Sequence, residues 1–211
     1  GRPIPAVEAY APAGYPEDAR AILLIEIDGL REELDEQASR VTAICSALGA
    51  REVRAAADAE QRARLWAGRK GVLAACGRIA PHYHIQDGVV PRSRLTEVLR
   101  LTEQVAARYG LIIVNVFHAG DGNLHPLLLF DVREPGVRER AITASEEILR
   151  ACVAAGGSIT GEHGIGIEKR DYIGWMFGEL DLQAFQQLRA AFDPACLMNP
   201  CKLVPTGASC A

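Results

Sequence analysis

No apolar run in this chain approaches the length needed to cross a membrane. The longest, residues 111–117, is strand-sized and interrupted by Asn115. The first ten residues carry Pro3 and Pro5 and no extended apolar stretch, so no signal peptide is expected. The six cysteines include no Cys-x-x-Cys pair, which argues against a zinc ribbon or an iron–sulfur cluster carried by the chain itself. Reduced, mostly buried thiols in a cytoplasmic protein are the expectation. There is no basic excess: the net charge is −4 with both signs mixed, so nucleic acid is not an expected partner. No G-x-G-x-x-G run, internal repeat or low-complexity linker is present.

What is there reads as a globular α+β chain. With 211 residues, 49% of them hydrophobic, one sizeable core or two small ones can form. Residues 21–28, AILLIEID, read as a buried strand. Residues 31–49 follow as a helix with Leu34, Ala38, Val41, Ile44, Cys45 and Leu48 turned inward. A short strand is expected over 51–54, a helix over 58–70 and extended chain over 82–90. Pro91 suits a first helical position, and Leu95, Val98, Leu99, Thr102, Val105, Ala106 and Tyr109 continue a buried helical stripe to Gly110. Residues 111–117 and 124–130 form a hairpin across a Gly-rich turn. Helices over 137–155 and 181–192 and a turn-rich strand over 192–205 complete the reading. Alternating elements with one antiparallel pair suggest a sheet with helices on one face.

Two segments carry chemistry. In VFHAGDGNLHP, residues 116–126, a loop over 119–122 pairs His118 with Asn123 and leaves it diagonal to His125. Diagonal neighbours stand about 7–8 Å apart on one face, close enough for both imidazoles to reach one ion. Gly120 and Gly122 would supply positive backbone angles. Alone, such a pair is more often two hydrogen-bonded histidines at a hairpin mouth. In GGSITGEHGIGIEKR, residues 156–170, glycines flank Glu162 and His163. An adjacent acid and imidazole divide naturally into a metal ligand and a general base, although a flexible loop with incidental polar groups has the same composition. His118, His125 and Glu162 together make a three-ligand set with open positions, which suits a catalytic zinc, manganese or iron(II). Arg69, in LWAGRK, has the fork that clamps a carboxylate, though a solvated helix arginine is the commoner outcome. Tyr83 and His84 either line the same pocket or are half-buried strand residues. Asn199 and Lys202 are the polar candidates of the last segment.

Taken together, these blocks resemble the C-terminal domain of the FAD-linked oxidases of the vanillyl-alcohol-oxidase superfamily, near the glycolate and D-lactate dehydrogenase types. The matching stretches are residues 13–29, LWAGRKGVLAACGRIAP at 65–81, DGVVPR at 87–92, HAGDGNLHP at 118–126, GEHGIGIEK at 161–169 and residues 192–202. The resemblance implies a ferredoxin-like antiparallel cap with helices on one face and a C-terminal helical segment, spanning 1–211 and lacking its beginning and the FAD-binding domain. It implies oxidation of a 2-hydroxy acid with hydride transfer to FAD. His118, His125 and Glu162 would hold a divalent metal and His163 would take the hydroxyl proton. Arg69 and His84 would bind substrate, and Asn199 and Lys202 would approach the flavin. The implied partners are an FAD-binding domain and other oxidase subunits, including an iron–sulfur subunit. The implied setting is the cytoplasm, where partner subunits could hold the chain at a membrane surface. Cys201 stands where the family has glycine. A stand-alone metal hydrolase and a non-catalytic interaction module are the competing expectations.

Overall fold

The computed structural model describes residues 3–204, and the chain divides into two compact units between Ile79 and Ala80. In the first unit, α1 (Pro3–Tyr10) packs on α3 (Ala59–Cys76). Helix α3 starts where the sequence expects it, because the Asp58 side chain accepts the Gln61 N–H at 2.8 Å. It runs beyond Lys70 to Cys76, and Val72, Ala75 and Cys76 are buried along it.

Three expectations fail in this unit. Residues 21–28 form no strand, and Ile22, Leu23 and Ile25 are exposed. Residues 51–54 are irregular; Arg51 pairs with Asp18 and Arg54 with Glu52 instead. Helix α2 (Arg31–Ala47) forms, yet buries none of its residues, and Ile44 and Leu48 are exposed. An apolar run expresses strand propensity, but a strand also needs a neighbour for its N–H and C=O groups. Among the described residues, none pairs with this segment.

The second unit is built on four strands: β1 (His82–Ile85), β2 (Gly88–Val89), β3 (Ile112–His118) and β4 (Asn123–Phe130). Strand β4 is central and all pairings are antiparallel, with β3 on one side and β1 followed by β2 on the other. Helix α4 (Leu95–Tyr109) connects β2 to β3, and α5 (Val137–Ala154) follows β4. After α5 the chain returns to make a single bridge from Ser158 to Val89. This is β-α-β-β-α-β connectivity with the last strand reduced to one bridge, the ferredoxin-like pattern expected.

Helices α4 and α5 pack on each other and on the sheet. Leu128 joins Val105, Val137, Ala144 and Ile148 in one cluster, and Leu124 joins Val98 and Cys152 in another. Even-numbered residues of β4 therefore face the helices, and Asn123, His125 and Leu127 face away. The stripe of α4 is inward as read, with Val98, Thr102 and Val105 buried, and Gly110 ends it in the left-handed conformation at φ 63°. A 3-10 turn (Arg92–Arg94) separates Pro91 from that helix.

The chain continues through α6 (Gly166–Lys169), a 3-10 helix (Arg170–Trp175) and α7 (Glu179–Phe192). Residues 193–204 are turns rather than the expected strand; the Asp193 carboxylate accepts the N–H groups of Leu197 and Met198 and curls the chain back. Pro205 lies outside the described residues. No helix among the described residues is long and apolar enough to cross a membrane.

Candidate metal centre

The site grows from the register of β4. Ile85 pairs with Leu127 and Gly88 with Leu124, and between them the Gln86 N–H donates to the Pro126 carbonyl at 3.1 Å. Pairing thus stays in step through the gap between β1 and β2, and Asp87 stands opposite His125. Across the other edge, Val116 pairs with His125 and His118 with Asn123, the diagonal arrangement expected from the hairpin. The two imidazoles meet edge to face with ring centres 5.4 Å apart. Gly122 makes the turn possible: its φ is 74°, and a Cβ there would lie 2.0 Å from the Val90 carbonyl oxygen. Gly120, expected to share that role, is not left-handed.

Glu162 and His163 are brought to this hairpin by Asp87. Its carboxylate is fully buried, and Oδ2 accepts the N–H groups of Gly161 at 2.8 Å and His163 at 2.9 Å and the Thr160 hydroxyl at 2.6 Å. The Glu162 N–H adds a further bond at 3.1 Å, and the buried Lys169 ammonium lies 3.5 Å away. One anion thereby gathers successive backbone donors of the loop, as a backbone nest gathers an anion. Burial alone would raise the Asp87 pKa; the hydrogen bonds from Thr160, His163 and Gly161, with the charge of Lys169, outweigh it and hold the carboxyl well below the usual range. Burial pulls the Lys169 pKa down, opposed by Asp87.

Glu162 Oε1 lies 3.0 Å from His125 Nε2 and 3.8 Å from His118 Nε2. Ligands bonded to one ion at about 2.0–2.2 Å must lie within roughly twice that distance of each other, and both separations satisfy this. His163 stacks on His125 with ring centres 5.0 Å apart. Ligand atoms of Asp87, His125, Glu162 and His163 also fall within 4.8 Å of one another. Asp87 is nonetheless a poor ligand, because it is fully buried and its Oδ2 is already taken by four loop donors and Lys169. His118 and Glu162 are half-exposed, whereas His125 is buried. Burial lowers the His125 pKa despite the Gln86 carbonyl and the acidic neighbours, so the ring is held neutral, the form that binds metals. The donor set fits a divalent ion.

Residues 2–203 match the family model for FAD linked oxidases, C-terminal domain. The chain belongs to this family. It is 48% identical to the glycolate oxidase subunit GlcD of Escherichia coli (strain K12) over 99% of its own length, and 37% identical to the glycolate oxidase subunit GlcD of Bacillus subtilis over 93%. It is 31% identical to the mitochondrial D-lactate dehydrogenase [cytochrome] of Arabidopsis thaliana over 87%. The chain spans 42% of the length of the two bacterial subunits and 33% of the plant enzyme.

Within this FAD linked oxidase C-terminal domain, His118, His125, Glu162 and His163 come together in the second unit. Arg69 is half-buried on α3 of the first unit. His84 pairs with Leu128, on the helix-facing side of the sheet. Its ring meets the Gln86 amide at 2.7 Å, and that amide also donates to Ser145 of α5. Of the two places the sequence offers His84, it takes that of a half-buried strand residue: strand parity turns it to the face opposite His125. Asn199 and Lys202 are exposed in the C-terminal turns. Cys201 takes φ 58°, a left-handed angle that favours glycine. Four residues of the centre escaped sequence reasoning: Asp87, Asn123, Pro126 and Lys169. Asn123 is buried beside the hairpin with no hydrogen-bond partner for Oδ1, and a Cβ on Gly161 would lie 2.7 Å from its amide. Asp87 lies in DGVVPR, and Asn123 and Pro126 in HAGDGNLHP, so the motifs mark their positions without their roles.

Proposed function

We propose that this chain is the C-terminal, substrate-facing part of an FAD-dependent dehydrogenase that oxidises a short 2-hydroxy acid, of the glycolate or D-lactate type, to the 2-oxo acid. The observation that carries the reading is the approach of His118 and His125 to one oxygen of Glu162, with His163 alongside, in a member of this family. The names of the relatives supply the substrate class. His118, His125 and Glu162 would hold a divalent ion, with zinc, manganese and iron(II) all suited to the donors. When bound, that ion supplies polarisation of a hydroxyl oxygen and the flavin supplies a hydride acceptor.

The chain's own residues do the rest. His163 is exposed beside the ligands, and an imidazole is the side chain suited to take a hydroxyl proton near neutral pH. Its backbone is pinned by Asp87, which fixes where the ring can go. Arg69 is assigned to the substrate carboxylate, and Asn199 and Lys202 to the flavin, on their motif positions. His84 belongs instead to the hydrogen-bonded group beneath α5. An FAD-binding domain is the partner this reading requires. An iron–sulfur subunit is a further partner, and such subunits would provide any attachment to a membrane.

The test uses the intact gene product that contains this chain, purified with its flavin and metal. Anaerobic addition of glycolate or D-lactate should bleach the oxidised flavin. Chelation should abolish the bleaching, and added metal should restore it. A flavin- and metal-loaded protein that no short 2-hydroxy acid reduces would overturn the reading.

A further inference from the structure

Pro126 sits in the middle of the central strand, where a proline removes a ladder hydrogen bond. The register shows which one. Gln86 donates its N–H to the Pro126 carbonyl at 3.1 Å, and in an antiparallel sheet such a pair exchanges both bonds. The return bond, from residue 126 to the Gln86 carbonyl, cannot form. In its place, Nδ1 of the neighbouring His125 lies 3.3 Å from that carbonyl oxygen.

The two acceptors on this side of the ring are the Gln86 carbonyl and, 3.8 Å away, the ionised Asp87 carboxylate. Neither can donate, so the proton belongs on Nδ1. That leaves the lone pair of the neutral ring on Nε2, the atom 3.0 Å from Glu162 Oε1. A lone pair and a carboxylate oxygen at that distance repel unless a cation lies between them.

We infer that Pro126 is a positioning residue: by withholding an N–H it reserves the Gln86 carbonyl for His125 Nδ1, which sets the tautomer and aims Nε2 at a metal. This rests on the reading of His125 as a ligand, but its first measurement is independent of that reading. Nitrogen-15 NMR of histidine-labelled, metal-free protein reads the tautomer directly. His125 is expected as the Nδ1–H form in the wild type and as a mixture of forms in Pro126→Ala, whose restored amide competes for Gln86. Zinc titration of the two proteins should then show weaker binding by the variant, on the order of 10–100-fold, the usual cost of losing a partner behind a ligating histidine. A thermal melt of Pro126→Ala at or above the wild-type midpoint would show that the strand is intact.

A wild-type His125 in the Nε2–H form overturns the proposal, as does a folded Pro126→Ala with unchanged tautomer and zinc affinity. If instead the tautomer shifts while His125→Ala still binds zinc normally, the tautomer control stands and the ligand assignment fails.

Discussion

The buried carboxylate of Asp87 and the backbone N–H of His163 are joined by a 2.9 Å hydrogen bond, so the proposed base is held from behind by an anion that never meets solvent. Removing that anion should be costly. Asp87→Ala leaves Lys169 buried without its counter-charge and several loop N–H groups without an acceptor. A loss of about 3–5 kcal/mol is expected, measured by urea unfolding of the metal-free protein. Replacing both Asp87 and Lys169 by apolar residues should recover stability relative to Asp87→Ala, yet not the zinc affinity. A loss below about 1 kcal/mol for Asp87→Ala would show that the loop is held by other contacts.

Removing the imidazole at position 163 should separate chemistry from binding. In the intact, flavin-loaded protein, His163→Ala is expected to lower kcat about 10²–10⁴-fold, while metal content stays at the wild-type level. Near-normal turnover would remove His163 from the role of base.

Single substitutions His118→Ala, His125→Ala and Glu162→Ala should each reduce bound metal, read by elemental analysis after dialysis. His125→Ala is expected to have the largest effect, because its ring alone among the three is buried and fixed by a second hydrogen bond. Full metal content in all three variants would place the ion elsewhere.

Stability of the metal-free protein should fall with acid in two stages. His84 titrates below its ordinary value of 6.5 in the folded state, chiefly through burial. Its contribution is complete above that value and is lost as acid charges the ring in the fold. Asp87 also titrates below its ordinary value, so its contribution is complete above about pH 4 and fades as pH falls through the lowered value. Urea midpoints across pH 7 to 3 should show both stages, and His84→Gln should shrink the upper one, leaving the share of His125, whose pKa burial also lowers. An unchanged upper stage in His84→Gln would assign it to another group.

The left-handed Cys201 offers a test of backbone strain. A side chain in that region costs about 1–2 kcal/mol, and glycine there is free of the penalty but more flexible when unfolded. Cys201→Gly is therefore expected to raise the unfolding free energy by up to about 1 kcal/mol. A clear loss of stability would mean that the Cys201 side chain contributes more than its conformation costs.

The hairpin was legible from the sequence because its information is local: even spacing between paired positions, a Gly-rich turn and two histidines at its mouth. The helical stripe of α4 was legible for the same reason. Asp87 and Pro126 were not, since their roles appear only once β1 and β2 are laid in register on β4 and each backbone donor is assigned a partner. For His84 the sequence leaves two places open because HYHI alternates faces, and only the pairing with Leu128 tells which face is which. Residues 21–28 were misread. Their composition states a preference for extended chain, but it does not specify the neighbour that would make a strand.

The Asp87 contacts also bear on how the second unit folds. Thr160 and His163 meet Asp87 across 73 and 76 positions of chain, whereas His118 and Asn123 are joined by a short turn. Contacts that close long loops carry a larger entropy cost and tend to form late. We expect the hairpin to become native early and the loop carrying Glu162 and His163 to dock last. Pulsed hydrogen exchange during refolding would then find the amides of Gly161, Glu162 and His163 protected after those of β3 and β4; earlier protection would contradict this order. On that schedule a metal-competent centre reports that the second unit has finished folding.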